Sequence, residues 1–345
     1  MPKKNKGARV MLTVLCVVLG IVLAGMIAGT VYFSKLSDKI GRVEGTEETY
    51  SDEQLQEILK EEEPEENTAP EMDENDVDWG NAEGQVIEKK EEIINILLIG
   101  QDARQTGVRA RSDSMILVTF NVEENTITLT SFLRDLYVKI PGYNQNKLNA
   151  TYVYGGMELL NQTLEQNFGV QVDGNVEVDF SRFADVIELL GGVDMELRHD
   201  EAMYINRKLG KDGIVSNLTA GMHTLNGDQA LWYSRIRYLD ADSDFSRTNR
   251  QRKVINSLVD KFRDAKLTTL LGLLDELLPM ITTDMTNGEI IGYAKDLFPM
   301  LADCTIISQR IPADNAYELR TIGGMSCVVA NMDAARQLLE ETIGG

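Results

Sequence analysis

The segment Met115-Ile-Leu-Val-Thr-Phe-Asn-Val-Glu-Glu-Asn-Thr-Ile-Thr-Leu-Thr-Ser-Phe132 decides the fold. Met115–Phe120 is a short apolar run of strand character. Thr126–Phe132 alternates Ile127, Leu129 and Ser131 against Thr126, Thr128 and Thr130, the period of two that a half-buried strand requires. Glu123-Glu124-Asn125 supplies a hairpin turn between them. Antiparallel pairing about that turn sets opposite each other residues whose numbers sum to about 247, which carries Asp113 to face Arg134. Upstream, Ile93–Ile99 is a further apolar strand. If it pairs with Met115–Phe120 through the loop 101–113, Asp102 arrives at the same end, beside Arg111.

Outward from this hairpin the pattern stays α/β. Leu136–Ile140 extends and stops at Pro141-Gly142. Ala150–Phe168 reads as one helix ended by Gly169, with Leu159, Leu160, Leu164 and Phe168 on one face. Val176–Val178 reads as a strand and Phe183–Leu190 as a helix closed by Gly191-Gly192. Helices are predicted at Gly227–Ser234, Phe245–Phe262 and Leu267–Leu278. Strands at Cys304–Ile311 and Ser326–Val329 precede a last helix at Asp333–Thr342. No change in composition interrupts the alternation, so residues 93–345 read as one domain.

The N-terminal quarter differs. Val10–Phe33 is uncharged and apolar; a helix of that length reaches about 36 Å, enough for a bilayer core of roughly 30 Å. Lys3, Lys4, Lys6 and Arg9 precede it and place residues 1–9 in the cytoplasm. A cleavable signal peptide is the alternative, but its apolar region runs only about 7–15 residues. The expectation is a single-pass anchor at 10–33 in the cell membrane, with everything after it extracellular. Residues 34–92 are acidic and poor in large apolar groups, the composition of a disordered tether.

The net charge is −21. Residues 1–92 hold 10 basic and 21 acidic side chains and the remainder 24 and 34, so both parts are acidic. A nucleic-acid binder needs a basic domain or stripe, so no nucleic acid is expected as a partner. The three cysteines form no disulfide framework. Cys16 lies in the apolar run, and Cys304 and Cys327 read as free thiols more readily than as a pair.

Three segments combine acids with arginines: Asp102 with Arg111 and Asp113; Arg134-Asp135; and Arg235-Ile-Arg237 running on to Arg247, Arg250 and Gln251. Singly, each arginine reads as an ordinary solvated or ion-paired side chain. Arg247, Arg250 and Gln251 share a helical face, whereas Arg235 and Arg237 share one only in an extended chain, which requires a helix ending near Ser234. Forked guanidiniums beside two carboxylates suit a pyrophosphate with a hard divalent cation. No Walker loop, HExxH or GxSxG is present. With only His199 and His223, zinc is not expected, and His223 reads as a structural hydrogen-bonding residue.

Asn95-Ile-Leu-Leu-Ile-Gly-Gln-Asp102, Arg111-Ser-Asp-Ser-Met115, Ser131-Phe-Leu-Arg-Asp135, Lys147-Leu-Asn-Ala150, Gly221-Met-His-Thr-Leu-Asn-Gly-Asp-Gln-Ala-Leu231, Tyr233-Ser-Arg-Ile-Arg237 and Asp244-Phe-Ser-Arg-Thr-Asn-Arg-Gln251 together resemble the LytR-CpsA-Psr family. The resemblance is strongest over residues 93–263. It implies an α/β/α sandwich around a mixed sheet, with an apolar pocket for a polyprenyl chain. It implies a phosphotransferase that moves a glycan phosphate from a polyprenyl-pyrophosphate carrier onto peptidoglycan, anchoring teichoic acid, capsule or a similar polymer. Asp102 and Asp113 would hold Mg²⁺ or Mn²⁺. Arg111, Arg134, Arg235, Arg237, Arg247 and Gln251 would hold the pyrophosphate, with Asp102, Asp113 and Arg134 in the catalytic role. Ser243-Asp244-Phe245-Ser246 departs from the glycines the family often carries around its Asp-Phe pair, and alters loop shape there. A polyprenyl-pyrophosphate hydrolase and a non-enzymatic wall-binding sensor or transcriptional attenuator are the rival readings.

Overall fold

The computed structural model describes residues 39–42, 69–81, 84–101, 109–179, 190–236, 281–297 and 304–344, with isolated positions between 184 and 188 and between 239 and 300. The anchor read at 10–33 lies outside them, as do residues 1–9 and the helix read at 267–278. Among the described residues no helix is long and apolar enough to cross a membrane. Within 93–345, read as one domain, the chain forms two compact units. One spans Gly41–Asp179 and Ile281–Gly345; the other is built on Phe180–Met280.

The first unit is organised by a seven-stranded mixed sheet. Its strands are β1 (Gly41–Arg42), β2 (Ile93–Gln101), β3 (Ser112–Asn121), β4 (Thr126–Phe132), β7 (Gly174–Asp179), β10 (Ile281–Thr283) and β11 (Thr305–Ile311). Their order is β1-β10-β7-β2-β3-β4-β11. β2, β3 and β4 form an antiparallel meander, while β7 lies parallel to β2 and β11 parallel to β4. The β3–β4 register runs from Met115↔Phe132 to Asn121↔Thr126, as the turn residues require. Asn125 closes that turn with φ 51°, a left-handed conformation that Asn tolerates. Leu97, Leu117, Val118, Phe120 and Ile127 lie at the centre of the core.

Two short strands, β5 (Tyr137–Val138) and β6 (Asn146–Lys147), pair antiparallel and lead into helix α1 (Leu148–Phe168). The sequence reads that helix as continuous, but it breaks at Gly155 and Gly156. Gly156 has φ 58° and ψ −146°, a combination open in practice only to glycine. Beyond the break the helix packs Phe168 on Phe132, their rings 5.3 Å apart, and ends at Gly169 with φ 75°.

The acidic stretch expected to remain a solvated tether packs in part. Thr321 of β12 (Tyr317–Ile322) exchanges backbone hydrogen bonds with Pro70 and Met72. β12 pairs with β13 (Met325–Ala330). Val77, Tyr137, Ile322, Cys327 and Val329 bury together, with Trp79 against them. Trp79 stacks on Tyr137 and lies under Lys139. Ile87 is buried as well. Arg336, on the final helix α4 (Met332–Ile343), donates to the carbonyls of Asn167 and Gln85. Burial explains the difference: few apolar residues suffice when a ready-made surface receives them.

The second unit pairs β8 (Val193–Leu197) with β9 (Gly221–Leu225) and adds α2 (His199–Lys211) and α3 (Gly227–Ser234). Val193, Ile205, Leu209, Leu225, Tyr233 and Ile236 form its core. Asn226 and Gln229 cap α3 reciprocally, side chain to backbone in both directions. Of the helix read at 245–262 only isolated helical positions are described.

Candidate functional site

The end of the β3–β4 hairpin gathers charge. Asp113 sits near the start of β3, and Arg134 follows β4 by two residues. Arg134 donates from a terminal guanidinium nitrogen to Asp113 Oδ1 at 3.0 Å, the contact that the register predicts. The Arg134 side chain is only 4 % exposed, whereas that of Asp113 is 26 % exposed. Asp113 is thus the wet edge of a mostly dry pair. Arg111 lies two residues upstream, half-buried, on the other side of the buried Ser112.

A second carboxylate completes the arrangement. Asp135 Oδ2 lies 3.5 Å from Arg134 Nε, and its Oδ1 lies 3.2 Å from Lys147 Nζ. Arg134, Asp135 and Lys147 are all buried. The backbone that brings Lys147 there is zipped to the hairpin end: Leu148 N–H donates to Leu136 O at 2.7 Å and Asn149 N–H to Arg134 O at 3.0 Å. Ionised groups in a dry site interact more strongly than on the surface, so Arg134 is held from two sides. Asn149 is 1 % exposed, and among the described residues neither its side-chain nitrogen nor its side-chain oxygen has a hydrogen-bond partner. The buried Thr151 hydroxyl is in the same position. Buried polar groups of this kind are normally satisfied, by water or a ligand where the chain does not do it.

Ahead of the break at Gly155-Gly156, Tyr154 and Tyr143 stack with centroids 4.6 Å apart and ring planes 10° apart. Asn146 Nδ2 donates to the Tyr154 phenol at 2.8 Å. Burial raises the Tyr154 phenol above its ordinary range, and the positive charge of Arg111 opposes that rise.

In the second unit, α3 stops at Ser234 with Arg235 as its C-cap, the helix end that the arginine spacing requires. The Arg235 guanidinium lies 5.8 Å from the Trp232 ring centroid. Arg250, which shares a helical face with the expected phosphate-binding positions, is turned to structure. Its Nε donates to Glu201 Oε1 at 2.9 Å, both groups buried. His223 sits on β9 with Nε2 3.4 Å from the Thr219 hydroxyl. Asp102, Arg237, Arg247 and Gln251 lie outside the described residues.

Among the described residues no three His, Cys, Asp or Glu side chains cluster as metal ligands. Asp113 nevertheless offers a hard oxygen donor at a partly wet edge beside cations. That suits an ion held by one or two carboxylates with phosphate oxygens completing its shell. Asp135, Lys147 and Asn149 were not singled out as site residues from the sequence. The signal was present, because Lys147-Leu-Asn-Ala150 is one of the recognisable motifs, but its role depends on a chain reversal through β5 and β6.

The model of the LytR_cpsA_psr family matches residues 49–343. The polyisoprenyl-teichoic acid–peptidoglycan teichoic acid transferase TagT of Bacillus subtilis is 36% identical over 211 residues, 60% of this chain. That match covers 63% of TagT, just under two thirds of its length. The regulatory protein MsrR of Staphylococcus aureus is 31% identical over 255 residues, 72% of this chain and 73% of MsrR. Among solved structures, the LytR-CPS2A-psr family protein YwtF (TagT) with bound octaprenyl pyrophosphate lipid superposes with TM-score 0.54 at 26% identity. It covers 78% of this chain and 99% of that one.

Proposed function

The chain belongs to the LytR_cpsA_psr family, and from that membership we propose that it is a phosphotransferase moving a glycan phosphate from a polyprenyl-pyrophosphate carrier onto peptidoglycan. The observation that carries the reading is the buried Arg134 held between Asp113 and Asp135 at the hairpin end. TagT, by name a teichoic acid transferase, and its structure with octaprenyl pyrophosphate support the substrate class. The name of MsrR keeps the regulatory reading in view. Within the proposal, the mixed sheet forms the middle of an α/β/α sandwich, and residues 10–33 anchor the chain in the cell membrane with the enzyme outside.

In the proposed reaction a sugar hydroxyl of peptidoglycan attacks the glycan-proximal phosphorus. The new P–O bond forms as the bond to polyprenyl phosphate breaks, and the hydroxyl proton passes to a carboxylate. Arg134, with Arg111, orients the pyrophosphate and neutralises its oxygens; a fixed fork in a dry site does this without reorganising during the reaction. Arg235, Arg237, Arg247 and Gln251 are proposed as further phosphate-binding residues on the strength of the family motifs alone. Asp102 and Asp113 are the proposed ligands of Mg²⁺ or Mn²⁺, which when bound would add charge neutralisation at the phosphate oxygens. One of the two is the proposed base. Asp135 and Lys147 position Arg134.

The test uses the full chain in detergent with a polyprenyl-pyrophosphate-linked glycan, with and without wall glycan. The expected product is glycan phosphate joined to the wall fragment. Release to water alone, unchanged by acceptor, would establish the hydrolase instead. Asp113→Ala is expected to lower turnover by about 10²–10⁴-fold. Undiminished activity in that variant, or in excess chelator, refutes the metal role.

A further inference from the structure

We propose that the stacked Tyr143 and Tyr154 form a platform for a pyranose ring of the glycan substrate, beside the pyrophosphate arginines. The inference rests on the phosphotransferase reading and extends it to a sugar subsite. Tyr143 is 47 % exposed, yet its ring is held nearly parallel to Tyr154, 4.6 Å from centroid to centroid. The inner ring is fixed in turn, since Asn146 donates to its phenol at 2.8 Å. An exposed large aromatic ring is ordinarily a mobile side chain. Here one face is backed by a second aromatic, and the outer ring is displayed on the β5–β6 loop.

The neighbours of the ring select the occupant. Tyr143 is followed by Asn144, Gln145 and Asn146. A loop that carries side-chain amides next to the aromatic residue in the chain, one of them bonded to the inner ring, suits a sugar, whose axial C–H groups lie on the ring while its hydroxyls meet donors and acceptors. An isoprenoid chain would call for aliphatic lining. Connection to the phosphate site is short. Asn146 holds Tyr154, and the next residue, Lys147, holds Asp135 against Arg134. One short strand therefore ties the platform to the arginine that the reaction requires. A pyranose there belongs either to the donor, one bond from its phosphate, or to the acceptor carrying the attacking hydroxyl.

Binding of a soluble, uncharged N-acetylglucosamine tetramer to the full chain in detergent tests the platform without turnover. Saturable binding at millimolar concentration is expected, with quenching of tyrosine fluorescence. Tyr143→Ala should weaken it about three- to tenfold, the range of one aromatic contact. Tyr143→Phe and Tyr143→Trp should retain it, because stacking needs the ring and not the hydroxyl. Binding of sugar-free polyprenyl pyrophosphate, read in parallel, should fall in Arg134→Ala but not in Tyr143→Ala. In turnover, a KM raised for the acceptor assigns the pyranose to the wall glycan, and one raised for the lipid-linked substrate assigns it to the donor. No saturable binding by the wild type, or equal binding by Tyr143→Ala, overturns the platform. Failure of the phosphotransferase reading would appear separately, as sugar binding intact without transfer.

Discussion

Arg134 has a structural duty and a proposed phosphate-binding one that a single substitution cannot separate. It is buried in ion pairs with Asp113 and Asp135, so its removal leaves carboxylates uncompensated and, on the proposed function, a phosphate unheld. Breaking a buried pair from one side costs about 3–5 kcal/mol. Arg134→Ala is therefore expected to lower both the melting temperature and the affinity for lipid pyrophosphate. Arg134→Lys should recover part of the stability and little of the affinity, because an ammonium keeps charge but not the fork. The informative change is Asp135→Asn. It preserves shape and loosens Lys147 and Arg134, so binding should weaken while the carboxylate of Asp113 stays in place. Equal affinity in wild type and Asp135→Asn would remove Asp135 from the positioning role. The contact between Asp113 and Arg134 was legible in the sequence, since hairpin register is arithmetic once the turn is located. The contact between Asp135 and Lys147 was not, because it depends on β5 and β6 folding back over seven intervening residues with no periodic signal.

Helix α1 shows the same division among elements. Its apolar spacing and Gly169 gave its extent to within two residues, but periodicity is blind to the break at Gly155-Gly156. That break frees the first turns, which carry Asn149, Thr151 and Tyr154, from the direction imposed by Phe168 on the sheet. Gly156→Ala forces a Cβ into φ 58°, ψ −146° and should cost about 1–3 kcal/mol. If the break aims the first turns at the site, lipid-pyrophosphate affinity per folded molecule falls too. A lower melting temperature with unchanged affinity would make the break a packing feature alone. The β8–β9 hairpin and α2 went unread for another reason. β8 and β9 are only five residues each, and α2 is stabilised by Arg198 N–H donating to Glu201 and by the buried pair of Glu201 with Arg250. The pair with Arg250, 49 residues away, leaves no local trace.

At the scale of the whole molecule, composition marked off an apolar run, an acidic stretch and an α/β region, but it misjudged where packing begins. Residues 10–33 are the proposed anchor, so protease added to intact cells should remove all but a short membrane stub; a fully protected domain would sink that topology. The packing boundary is testable more finely with two chains, 69–345 and 93–345, that differ only in residues 69–92, a strap over the first unit. The strap buries Val77 and Ile87 and covers Tyr137 and Cys327. Burial of one Val or Ile stabilises by about 1.5–3 kcal/mol, so losing two removes about 3–6 kcal/mol. Against a total of about 5–15 kcal/mol, that leaves the shorter chain marginal or unfolded. Cys327 gives a local readout of the same event. Burial pushes its thiol up to about 11, so at pH 8 it stays in the protonated, unreactive form. In 69–345 a thiol reagent should leave Cys327 unmodified at that pH, whereas in 93–345 it should react readily and the melting temperature should drop. Equal melting temperatures with Cys327 inert in both chains would mean that the strap merely lies on the surface, and that the acidic stretch is a tether along its whole length.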